Sequence, residues 1–131
     1  MRLFTDEYGK IAVYKKYVIA TLNEGITISS LHTDGFNQIA NDILKNQNFG
    51  YISNRINSYA IDPKIYIDIS EVENLVAFAM VSDNPLHISN AEIEKLFLKK
   101  PFKTFTNIEP AVKWIKKMEK KTGCSLVKNN T

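Results

Sequence analysis

Cysteine occurs once, at Cys124, which excludes an intrachain disulfide and fits a reducing compartment. The only histidines, His32 and His87, stand in no spacing that metal binding favours, so no metal site is expected. The glycines at 9, 25, 35, 50 and 123 are scattered, and no glycine-rich loop exists to cradle a phosphate. There is no Gly-x-Ser-x-Gly elbow either, so the spacing of Ser82 and His87 reads as coincidence and surface or capping roles are expected for both histidines. No apolar run approaches the roughly 18 residues of a membrane-crossing helix. The segment Met1–Glu7 also lacks the long apolar stretch of a signal peptide. The expectation is a cytoplasmic protein without cofactor or catalytic residues.

What is present is an ordinary globular composition. The chain has 131 residues, 44% of them hydrophobic, which is enough for one self-sufficient core. A single domain over 1–121 with a flexible tail over 122–131 is expected. The net charge of +3 neither demands nor excludes an anionic partner.

The dominant pattern is a repeated passage from an apolar run through small polar residues into a helical period. It occurs at Gly50–Ile52, at Leu75–Val81 and at Phe102–Phe105. Strands alternating with helices in this way predict an open α/β sheet, whose ligands bind outside the carboxyl ends of the parallel strands. Lys10–Tyr14 and Tyr17–Leu22 predict an amino-terminal hairpin around Lys15-Lys16. A first helix is expected over about Ser30–Lys45, with Phe36, Ile39, Ala40, Ile43 and Leu44 inward. Phe49–Ser53 predicts a strand, and Asn54–Ile61 a polar connection. Asp62-Pro63 opens a second helix with Ile65, Ile69 and Val72 inward. Leu75–Val81 lacks polar alternation and predicts a strand covered on both faces. Ser89-Asn90-Ala91-Glu92 matches a capping box for a third helix, with Ile93, Leu96 and Phe97 inward and Lys99 and Lys100 in its last turn. Thr106-Asn107-Ile108-Glu109 is a second capping box. The helix after it carries Val112, Ile115 and Met118 on one face, with Ala111 and Trp114 beside them, and ends near Lys121. The order is β-β-α-β-α-β-α-β-α, a mixed sheet of about five strands with helices on both faces.

That order, with the stretches Tyr51-Ile52-Ser53-Asn54-Arg55-Ile56-Asn57-Ser58-Tyr59, Asn74-Leu75-Val76-Ala77-Phe78-Ala79 and Glu94-Lys95-Leu96-Phe97-Leu98-Lys99-Lys100-Pro101-Phe102, resembles the STAS-like domains. These include the anti-sigma-factor antagonists, and the likeness is to a branch of small stand-alone bacterial proteins. The resemblance implies a regulatory, non-catalytic domain that binds a protein partner near the start of the second helix. It also implies a phosphorylated serine there. Ser58 is the nearest hydroxyl, although Asn57-Ser58-Tyr59-Ala60 departs from the Asp-Ser-x-Gly-like motif. A link of some relatives to lipid-binding CRAL-TRIO folds keeps an apolar ligand as an alternative.

The candidate site is the predicted strand-end edge formed by Ser53, Asn54, Arg55, Asn57 and Ser58 together with Ser82, Asp83 and Asn84. Arg55 suits a forked pair with a carboxylate or phosphate, or with Asp83 itself. Turn formation explains the Asn, Asp and Ser residues equally well. A small enzyme using an Arg55–Asp83 pocket is the rival reading. Lys113, Lys116, Lys117, Lys120 and Lys121 form a basic helix face, but no aromatics are interleaved with them, so nucleic acid is not expected. The free edge of the hairpin leaves pairing with a second copy open.

Overall fold

A computed structural model describes residues 1–28, 38, 41, 44 and 47–129, with residues 122–129 described as backbone. Most of the predicted first helix lies outside the described residues; within it Gln38 and Asn41 are helical and Leu44 is buried. The described elements are β1 (Arg2–Asp6), β2 (Gly9–Val13), β3 (Tyr17–Leu22), β4 (Thr27–Ile28), β5 (Phe49–Asn54), β6 (Ala60–Ile61), α1 (Lys64–Ser70), β7 (Leu75–Val81), α2 (Pro85–Glu94), β8 (Phe102–Phe105) and α3 (Ile108–Asn129).

The fold is α/β. Six strands form one sheet in the order β1-β2-β3-β5-β7-β8, and β4 and β6 form a separate parallel pair. β1, β2 and β3 are antiparallel, and from β3 to β8 the neighbours are parallel. The sheet thus has one strand more than expected, because Arg2–Asp6 pairs with β2. The predicted polar connection also contains β6, which pairs with β4.

Every parallel step moves toward the same edge. Right-handed crossovers therefore carry the connecting segments over one face. On that face Ile65, Tyr66 and Ile69 of α1 join Phe49, Leu75 and Phe78 in one core. Tyr51, Phe78 and Phe102 are in register across β5, β7 and β8, and their rings stack at 4.8 and 5.3 Å. The last helix covers the opposite face. Ala111 and Ile115 of α3 pack with Ile52, Val76, Ala77, Ala79 and Val81, and Val112, Trp114 and Met118 flank them, as the helical period predicts. All of β7 is buried, which is what a strand sandwiched between two helical layers requires. Gly50 permits α3 to approach, since a Cβ there would collide with the Ile115 side chain.

Two helices differ from expectation. α2 begins at Pro85, with Asn84 as its cap: Asn84 Oδ1 accepts from the Leu86 amide at 2.9 Å. The Ser89 capping box is thus inside the helix, because Asn84 with proline at the first helical position starts it earlier. The helix also ends at Glu94, so Leu96 and Phe97 lie in the turn after it, and the inward positions are taken by His87, Ala91 and Glu94 at helical spacing. Ile93, Leu96 and Phe97 are exposed rather than buried. Lys99 and Lys100 lie beyond its end. α3 runs on to Asn129, past the expected end at Lys121.

Candidate functional site

The predicted site residues gather at the carboxyl ends of β5 and β7, but they bond to partners other than those expected. Tyr51, Ser53 and Arg55 follow the period of a strand, so the Arg55 side chain enters the α1 and α2 layer. It is 7% exposed. Its Nη1 and Nη2 donate to the two carboxylate oxygens of Glu94, each at 2.8 Å. Nη2 also donates to the Tyr66 hydroxyl at 2.8 Å, and that hydroxyl donates to Glu94 Oε1 at 2.8 Å. Nε reaches Ser53 Oγ at 3.4 Å, and Ser53 Oγ shares a hydrogen bond with the Tyr59 hydroxyl at 3.1 Å. The guanidinium lies 5.7 Å from the centre of the Tyr59 ring. One side chain just past the end of β5 therefore ties α1 to α2.

Asp83 is exposed and does not receive Arg55. The expected Arg55–Asp83 pair is replaced by Arg55–Glu94, because α2 turns Glu94 back over the sheet end. Burial works against the charge on Arg55. The nearby Tyr66 oxygen and the hydrogen bonds that Arg55 donates to Glu94 outweigh it and hold the guanidinium above even its usual range. Burial likewise pushes the Tyr66 hydroxyl well above its ordinary value; Arg55 opposes the shift and Glu94 adds to it.

A second chain of bonds joins the other candidates. Ser82 Oγ lies 2.7 Å from His87 Nδ1, and Ser58 Oγ lies 3.1 Å from His87 Nε2. Ser82 and His87 are thus bonded partners, and His87 is buried rather than at the surface. Ser82 Oγ also accepts from the Asn84 amide at 3.1 Å. A hydroxyl beside an oriented imidazole is the start of a nucleophilic site. Here the Ser58 amide is already engaged, donating to Glu24 Oε2 at 2.6 Å. The bonds instead pin the 54–61 connection: the Gly25 amide donates to the Ser58 carbonyl at 2.7 Å. Asn57 Nδ2 donates to the Leu22 carbonyl at 2.9 Å, and Asn54 Nδ2 to Thr21 Oγ1 at 3.4 Å.

Large apolar side chains are exposed beside these bonds. Ile56 is 71% exposed and Leu86 63%, and the Ser58–His87 hydrogen bond joins the segments that carry them. Along α2 and just past it, Ile93 is 60%, Leu96 77% and Phe97 37% exposed. Leu86 and Ile93 recur at helical spacing on the outer side of α2, and Leu96 and Phe97 follow in the turn after it. The apolar spacing predicts Ile93, Leu96 and Phe97 inward, and the structure leaves all three exposed. Glu94 and Tyr66 also escaped notice, the first as an ordinary helix acid and the second as a polar neighbour of Ile65.

Among the described residues no group of three metal-ligating side chains gathers, and no helix is long and apolar enough to cross a membrane. No family model, no curated protein and no solved structure matches this chain.

Proposed function

We propose that this protein is a non-catalytic interaction module that docks another polypeptide at the carboxyl-terminal edge of β5 and β7 and along the outer face of α2. The observation that carries this reading is the exposure of Ile56 and Leu86, in segments joined by the Ser58–His87 hydrogen bond, and of Ile93, Leu96 and Phe97 along and just past α2. Apolar surface of this kind costs free energy in water and marks binding faces. The polar residues behind it bond to one another and make the surface rigid, which lowers the entropic cost of docking.

Two further observations favour a protein partner over a small ligand. Arg55 is committed to Glu94, which removes the Arg–Asp pocket a small enzyme would use. The strand order in the main sheet never reverses, and a ligand crevice in open α/β sheets forms where it does. The STAS-like, regulatory and cytoplasmic readings belong to this proposal. Their support is the element order and the lone cysteine.

A photo-crosslinking amino acid at position 96, compared with one at the exposed position 113 on α3, tests it in the native host. The expected result is a discrete crosslinked polypeptide from position 96 alone. Equal labelling from both positions, or none from either, contradicts the proposal.

A further inference from the structure

Among the described residues the outer edge of the main sheet is β1, and the bonds around β2 fix which of its backbone groups face outward. The Tyr14 amide donates to the Tyr17 carbonyl, and the Asn23 amide to the Tyr8 carbonyl. Even-numbered residues of the β2 segment therefore bond toward β3, and Gly9, Ile11 and Val13 bond toward β1. Their partners in the register are Asp6, Phe4 and Arg2. The amide and carbonyl groups of Leu3 and Thr5 consequently point to the open edge.

We propose that a second copy of this chain pairs with β1, antiparallel about Phe4, so that two six-stranded sheets join into one. In this register Leu3 and Thr5 exchange both of their hydrogen bonds with Thr5 and Leu3 of the second copy. It is the one register that pairs the whole of Arg2–Asp6 with itself. It also sets Arg2 against Asp6 of the second copy, twice by symmetry, at non-hydrogen-bonded positions where side chains approach closest. Phe4 meets its own copy between the two charged pairs.

Charge complementarity is what selects a second copy as the occupant. Edge strands are ordinarily protected by charges that repel an incoming strand. The charges on β1 are of opposite sign at its two ends, so they attract in the antiparallel register. Leu3, 56% exposed, adds apolar surface at the same edge. Arg2 is already held over the Phe4 ring at 5.4 Å, on the face where Asp6 of the second copy would arrive. This inference is independent of the α2 docking face.

Sedimentation velocity on the full chain over a dilution series at low salt tests it. The wild type is expected to show a dimer fraction that rises with concentration and falls with salt. Thr5→Pro removes an outward amide and leaves the β1–β2 ladder intact; it should weaken the dimer roughly tenfold or more. Arg2→Glu sets like charges against Asp6 and should weaken it in the same direction, with the salt dependence reversed. Circular dichroism confirms that both variants fold. A wild type that stays monomeric at every concentration overturns the proposal. So does a dimer that survives Thr5→Pro unchanged, including one lost only on Ile93→Asp.

Discussion

Replacing Glu94 with alanine should strand a buried cation. Glu94 accepts from Arg55 Nη1, Arg55 Nη2 and the Tyr66 hydroxyl, and its side chain is only 13% exposed. Removing one partner of a buried ion pair costs about 3–5 kcal/mol, chiefly because the remaining charge is left desolvated. Partial water access at Glu94 places the expected loss at about 3 kcal/mol, a large share of the roughly 5–15 kcal/mol that holds a domain folded. With a urea slope of about 2 kcal/mol/M, the midpoint should fall by about 1.5 M. The internal control is Glu92→Ala. Glu92 pairs with Lys95 one turn away, and both side chains are about half exposed, so that loss should stay below about 0.5 kcal/mol. The double variant Arg55→Met/Glu94→Leu should be more stable than Glu94→Ala, since no unpaired charge remains. Equal midpoints for Glu94→Ala and Glu92→Ala would refute the reasoning.

Stability should also fall in alkali. Tyr66 is held neutral by burial, with its pKa raised well above the ordinary value. Its contribution is complete below about pH 10 and declines as pH rises from there toward the folded-state pKa, because the unfolded chain ionises first. Urea midpoints taken across that range should slope downward, and less steeply in Tyr66→Phe. Gly50→Ala should destabilise by about 1–3 kcal/mol through overpacking against Ile115, and Ile115→Val in the same chain should recover part of the loss in a thermal melt. Ser82→Ala removes the acceptor of the Asn84 amide and a partner of His87. It should cost about 1–2 kcal/mol and speed hydrogen exchange across residues 56–60, and exchange rates equal to the wild type there would oppose the pinning role.

The strands and the α3 face were legible because their signals are local. Leu75–Val81 has no polar alternation, and a strand buried on both faces needs none. Val112, Ile115 and Met118 recur at a period that only a helix satisfies. β1 was not legible. Arg2-Leu3-Phe4-Thr5-Asp6 has little apolar content, and its state follows from pairing with β2 rather than from its own pattern. The outward face of α2 is not legible in the apolar spacing. The helix ends at Glu94, before Leu96 and Phe97, and its inward positions go to His87 and Glu94, whose partners Ser58 and Arg55 come from a distant segment. The edge that gathers Ser53–Ser58 and Ser82–Asn84 was found from strand ends alone. Its bonding was not, because Glu94 and Tyr66 arrive from helices far along the chain, and only the packed layer brings them to Arg55.

Native mass spectrometry of the protein from its own host, wild type beside Ile93→Asp/Leu96→Asp, tests the interaction reading most directly. The account predicts a stoichiometric complex with a second, different polypeptide in the wild type and its loss in the variant, with the fold intact by circular dichroism. A complex that the variant retains, a bound lipid or other small molecule in place of a polypeptide, or the protein without any other polypeptide in both samples would contradict it.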